Sequence, residues 1–217
     1  VRLVFLVDPS TDMVSQRSAF RKALAEIMGG FPPASPPVFS LVTMGAVPSL
    51  DAKPGSGLAE ISKVAIAQAR KGGRLDLGIR FAATGLLPTG PRDAIVYMGT
   101  GRIDPQAFGA TTISELSSFL RNNGIRLYGI IFGEDPVDDS LRYLTEQSGG
   151  GLYAASRPQG LGEVPKAIAQ VPSGRYRLRF LSKADSGFGE SYLGLSVEAY
   201  LYKKSGRDEA GYFGPRK

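Results

Sequence analysis

At 217 residues with an apolar share of 42%, the chain is long enough for one α/β domain plus an extension and too ordinary in composition for disorder. It has neither Cys nor His, which excludes thiolate nucleophiles, imidazole bases, Ser-His-Asp triads and His- or Cys-held zinc or iron, so any metal must be a hard cation on oxygen ligands. The 26 Lys and Arg against 20 Asp and Glu leave a net +6; the charge concentrates in residues 173–217 but forms no stripe of the kind that tracks nucleic acid, and no apolar run approaches the roughly 18 residues of a bilayer span.

The chain opens on an apolar run, Val1–Val7, interrupted only by Arg2, which reads as a strand buried on both faces. With no initiator Met and no leader ahead of it, the sequence reads as a piece of a longer or processed protein. Thr11–Met28 follows a helical period through Met13, Phe20, Leu24 and Ile27, and Gly29-Gly30 ends it. Val38–Met44 is a second buried strand, and Ala46–Asp51 a short neighbour. Leu58–Arg70 and Asp76–Leu87 are helical, Ala94–Met98 is a strand, and Thr112 with Glu115 forms a capping box for a helix through Arg121. "IRLYGIIFG" is a strand, "DPVDDSLRYLTEQS" a helix, "GLYAA" a strand and "GLGEVPKAIAQV" a last helix broken by Pro165.

Strands alternating with helices predict a doubly wound, mostly parallel sheet over residues 1–171. In such a sheet ligands bind beyond the carboxyl ends of the strands, where the strand order reverses. If the first strand is central, Asp8–Asp12 lies there. Residues 172–217 change character: "RYRLRFL" and "YLGLSVEAYLY" both alternate, and the Gly- and Ser-rich segment between them suggests an antiparallel hairpin appendage of these two strands. Tyr192, Tyr200 and Tyr202 fall on one face and suggest a second packed surface, while Arg175, Arg177 and Arg179 make a solvated face or pair towards Glu198.

Several segments in order resemble a von Willebrand factor A (VWA) domain. "FLVDPSTDM" stands where that family has an apolar strand followed by Asp-x-Ser-x-Ser; "GGRLDLGIRFAATGL" stands at its Gly-rich turn, Thr and helix; "DAIVYMGTGRID" stands at its strand ending in Thr-Asp-Gly. "LRNNGIRLYGIIFGEDPVDDSLRYLTEQSGGGLYAAS" matches its Gly-Ile strand and the helix that ends in a Gly pair, and the tail is similar, over shorter pieces, to bacterial VWA-related proteins. The resemblance implies a Rossmann-like fold, a protein-interaction or adhesion role without catalysis, and an extracytoplasmic, envelope-associated place in a bacterium.

It also implies a metal-ion-dependent adhesion site. Asp8 and Ser10 match the family's ligand pattern, Asp12 replaces its second Ser, Leu75 falls where a ligating Thr is expected, and Thr100 falls on its last Asp. The implied site is degenerate: Asp8, Ser10, Asp12 and Thr100 remain as oxygen donors, and Ca²⁺ or Mg²⁺ are the ions they would suit. The competing reading of the same residues is structural, with Asp8 and Ser10 as turn and N-cap groups and Asp12 favourable to the helix dipole.

Other patterns point less far. A phosphatase built on an Asp nucleophile after the first strand needs a second Asp where Ser10 stands. "GTGRID" and "SGGGLY" lack the spacing of a dinucleotide or phosphate loop, and "EDPVDD" reads as a helix cap. The expected partner is therefore a protein and not nucleic acid, met by Asp8, Ser10, Asp12, Thr100 and the loops around Leu75 and Asp104. An Asp8-dependent phosphotransferase or hydrolase, or a scaffold domain with a vestigial site, are the competing functions.

Overall fold

Side chains along Arg2–Val7 alternate between two apolar layers, and that alternation organises the molecule. The computed structural model describes residues 1–34, 36–64, 73–87, 89–90, 92–170, 179–183, 190–202 and 204–214. Its strands are β1 (Arg2–Val7), β2 (Val38–Thr43), β3 (Ser49–Ala52), β4 (Ala94–Gly99), β5 (Arg126–Ile131) and β6 (Gly151–Ala154) in one sheet of order β3-β2-β1-β4-β5-β6, with β7 (Tyr192–Leu201) and β8 (Lys204–Phe213) in a second. All pairings in the large sheet are parallel except that of β3 with β2. The mostly parallel, doubly wound architecture is as expected, with β1 central and the order reversing between β1 and β4.

The helices are α1 (Thr11–Ser15), α2 (Arg17–Gly29), α3 (Leu58–Val64), α4 (Leu75–Thr84), α5 (Ile113–Asn122), α6 (Asp139–Gln147) and α7 (Glu163–Ala169). Leu3, Phe5 and Val7 face one layer with Phe20, Leu24 and Ile27 of α2 and Val164 and Ile168 of α7. Val4 and Leu6 face the other with Ile79 of α4, Leu116 of α5 and Leu141 of α6. A strand covered on both faces needs apolar residues at every position, which is why β1, β4 and β5 read as continuous runs.

At the end of the sheet remote from Asp8, Asp93 accepts from the backbone N–H of Arg2 (2.8 Å) and from its guanidinium (2.6 Å), while the same guanidinium donates to Leu86 O (2.6 Å). Burial alone would raise the Asp93 carboxyl; the N–H groups of Gly90 and Arg2 and the Arg2 charge outweigh it and hold it below the usual value. Arg2 thus interrupts the apolar run because it seals the strand's start.

Three expectations change. The single helix over 11–28 is two, divided at Gln16, whose N–H returns to Met13 O. Pro165 does not break the last helix: it is the third residue of α7, inside the first turn, where an N–H has no intrahelical partner to lose. The appendage is an antiparallel hairpin, but β7 pairs with β8, from Tyr192↔Phe213 to Leu201↔Lys204. Tyr202 at its tip has φ 53°, the left-handed region of a tight hairpin turn. Of the predicted partner strand, residues 175–178 lie outside the described residues, Arg175 and Arg177 among them, and 179–181 are not strand. Glu198 stands opposite Arg207.

The hairpin rests on α5. Phe213 packs edge-on against Phe119 and Tyr192, with ring centroids 5.2 Å apart in both pairs, and the Arg80 guanidinium lies 3.7 Å over the Phe213 ring. Tyr192 is half-buried there, but Tyr200 and Tyr202 are exposed, so the three tyrosines do not share one packed surface. Because Phe213 joins both sheets' packing, Phe213→Ala is expected to cost about 2 kcal/mol in chemical denaturation. It should also make the stretch 192–213 cleavable under limited proteolysis before the large sheet opens.

Candidate functional site

Three loops leave the carboxyl ends of β1, β2 and β4 and meet the start of α4 over β1. The ladder continues past the strands themselves: Asp8 N–H donates to Met98 O and Met44 N–H to Val7 O, each at 2.9 Å. These bonds bring Asp8, Met44 and the Gly99–Asp104 segment together, and Gly73 and Leu75 close the circle from the start of α4. The cleft so formed has a volume of about 220 Å³ and is lined by Asp8, Ser10, Asp12, Leu75, Thr100 and Arg102, among others.

Asp8 lies at its base, 7% exposed. Its Oδ1 accepts the Ser10 N–H at 3.1 Å, so Asp8 closes a local turn. Burial raises its carboxyl above the ordinary value; the Ser10 N–H opposes that, and the Asp12 charge adds to it. The hydroxyls of Ser10 and Tyr97 face Asp8 without reaching full hydrogen-bond geometry, and both are buried with no partner at that geometry. Tyr97 is held well above the usual phenol value, by burial first and then by the Asp8 charge. Ser10 sits at the N-cap of α1, but its side chain makes no capping bond.

Gly99 makes this approach feasible. A Cβ there would run into the Tyr97 hydroxyl and would stand 2.8 Å from Asp8 Cβ, so no side chain fits between β4 and the carboxylate. Thr100 is buried, and its Oγ1 accepts the Arg102 N–H in a long bond of 3.4 Å.

Leu75 is fully buried and belongs to the second apolar layer, so the position expected to carry a hydroxyl donor instead carries an aliphatic wall. The next residue, Asp76, was not singled out by sequence. Fully buried, it takes the Arg74 guanidinium at 2.8 and 3.0 Å and the N–H groups of Leu77, Ala110 and Thr111. Burial raises its carboxyl, but the Arg74 bond and these amides outweigh it and hold it low. One carboxylate thus ties the start of α4 to the loop after β4, forming two walls of the cleft.

Arg102 was also missed. Its guanidinium reaches Asp12 at 3.6 Å and Asp135 at 2.7 Å. All three side chains are half-exposed or more, so each pair is worth at most about 1 kcal/mol. The effect of Arg102 is on charge: the loop that carries Thr100 places a cation two residues on, beside Asp12. Asp138, in the segment expected to cap a helix, does so, accepting the Ser140 N–H at 2.8 Å.

Asp8, Ser10, Asp12 and Thr100 therefore do line one cleft. As ligands for a six-coordinate divalent ion they fit poorly: Leu75 offers no oxygen, Asp12 is neutralised by a guanidinium, and Asp8 has one oxygen engaged. Among the described residues no three His, Cys, Asp or Glu side chains gather where they could hold an ion.

Comparison with solved structures places the architecture. A von Willebrand factor type A protein from Catenulispora acidiphila superposes with a TM-score of 0.62 at 12% identity, over 98% of this chain and 55% of that one. The chain has the von Willebrand factor A fold. An aerotolerance-related membrane protein from Bacteroides fragilis matches with a TM-score of 0.57 at 12% identity, over 77% of this chain and 96% of its own. Proximal thread matrix protein 1 of the mussel byssus, solved with a zinc-occupied metal-ion-dependent adhesion site, matches with 0.57 at 16%, over 77% and 45%. No protein-family model matches the sequence, and no curated protein matches it.

Two measurements test this description of the VWA-fold site. Because burial raises the Asp8 carboxyl, the folded state favours its neutral form, and ionisation costs stability as pH rises above the ordinary value of 3.8. Asp8→Asn should therefore melt higher than the parent protein at pH 7, with the gap closing on acidification towards pH 3. Millimolar Mg²⁺, Ca²⁺ or Mn²⁺ should leave the melting temperature of the parent protein unchanged; a saturable rise would mean that the four oxygens do hold a metal.

Proposed function

We propose that the chain is a non-enzymatic protein-interaction module that meets its partner at the cleft over β1, through Asp8, Ser10, Asp12 and Thr100 and the loops carrying Leu75 and Asp104. The observation that carries this reading is the convergence of those loops on a cleft of about 220 Å³ at the reversal of strand order, with a buried carboxylate at its base. Stable strands and helices fix the positions of these side chains, as an interaction site on a rigid scaffold requires.

This reading does not call on a metal ion: Leu75 offers no oxygen, and the Arg102 guanidinium already lies beside Asp12. Catalysis finds little support in a chain without His or Cys, whose Asp8 is held in a turn by Ser10. The same reading puts the module outside the cytoplasm of a bacterium, at the envelope; the Bacteroides fragilis neighbour is described as a membrane protein. Among the described residues no helix is long and apolar enough to cross a membrane. We place the boundary between the VWA-fold unit and the β extension at residues 171 and 172.

A photo-crosslinking amino acid placed singly at Asp12, Asp104 or Asp135 around the cleft, and at Val38 or Leu87 on the opposite end, reads out the interaction surface in the native host. Discrete adducts are expected from the cleft positions and not from the other two. Adducts confined to Val38 or Leu87 would reject the assignment.

A further inference from the structure

The described lining of the cleft has an unbalanced charge, and its shape says what would balance it. Its described lining carries Asp8, Asp12 and Asp104 against the single guanidinium of Arg102, a net −2 on a protein whose overall charge is +6. Arg102 is committed outward, to Asp12 and to Asp135. Among the described residues no ion pair reaches Asp8, although it is 93% buried, as its 7% exposure implies, and lines the cleft. The other two buried aspartates each have an arginine, Arg74 for Asp76 and Arg2 for Asp93. A buried carboxylate without a counter-ion, facing a cleft, is an unfilled half of a pair.

We propose that the cleft accepts the ε-ammonium of a lysine side chain from a partner protein, with Asp8 as its counter-ion. This rests on the reading of the cleft as the partner-facing site and names the chemistry it recognises. The acceptors at its base suit an ammonium. Oδ1 of Asp8 accepts the Ser10 N–H and the buried Ser10 and Tyr97 hydroxyls face the same carboxyl, which leaves its second oxygen and the weakly engaged Thr100 Oγ1 as acceptors for the ammonium. A guanidinium would want both oxygens of one carboxylate side by side, and one is taken. The walls suit the stem, because Met44 and Leu75 are buried aliphatic groups and Ile103 is half-buried, so four methylenes would lie against apolar surface while the charge reaches the base. The aliphatic Leu75, which removes a metal ligand, becomes on this account part of the fit.

The test uses Nα-acetyl-lysinamide as probe and the methyl NMR signals of Met44, Leu75 and Ile103 as reporters. Saturable shifts confined to these methyls are expected in the millimolar range, with Asp8→Asn weakening the affinity at least about thirtyfold. Nα-acetyl-lysinamide also acetylated at Nε, which keeps the stem and loses the charge, should give no saturable shift. Equal binding of the two probes, no saturable shift with either, or full affinity in Asp8→Asn would overturn the proposal. If the probe fails while crosslinks still form around the cleft, the interaction surface stands and the lysine specificity falls; binding of the probe without crosslinks gives the converse.

Discussion

Desolvation of one carboxylate governs the upper end of this molecule. β1 lies in the middle of a sheet covered on both faces, so every residue from Leu3 to Val7 must be apolar, and the first polar side chain after it emerges while still enclosed by its neighbours. Asp8 is therefore buried by topology before any ligand is considered. The Ser10 amide, the bare Gly99 and the Tyr97 hydroxyl lie as they do because something has to surround that group closely without filling the cleft above it.

Three aspartates are buried to a similar degree, and they show two solutions to the same physical cost. Asp76 and Asp93 are each given an arginine and several backbone amides, and both are held ionised. Such pairs are local fasteners, joining chain segments that the sheet alone would leave loose. Asp8 receives one amide, two facing hydroxyls and, among the described residues, no cation, and its carboxyl is pushed the other way. A buried group that the fold stabilises so incompletely is a group left available.

The parts legible in the sequence are those with a local cause. Continuous apolar runs marked β1, β4 and β5, and the Thr112/Glu115 pair marked the start of α5 because both bonds of the box lie within four residues. Asp8, Ser10, Asp12 and Thr100 could be grouped because each follows a strand whose direction the alternation dictates. Arg102 could not be linked to Asp12 or Asp135, since nothing local says which carboxylates a long side chain in a Gly-rich loop will reach. Asp76 was hidden for the same reason: its amide partners Ala110 and Thr111 lie 34 and 35 residues away. β8 has a weak pattern, "KSGRDEAGYF", and becomes a strand because β7 and a tight turn at Tyr202 supply its register. Of the segment expected to pair with β7, residues 175–178 lie outside the described residues.

The two-walled attachment made by Asp76 bears on how the cleft can move. Its carboxylate is shared by the first turn of α4 and the Ala110–Thr111 amides, so neither wall can swing out without stripping a buried charge of its partners. Among the described residues, those two walls consequently form a fixed part of the mouth. A visitor must fit that fixed part as it stands, so discrimination there falls to size and charge at the threshold.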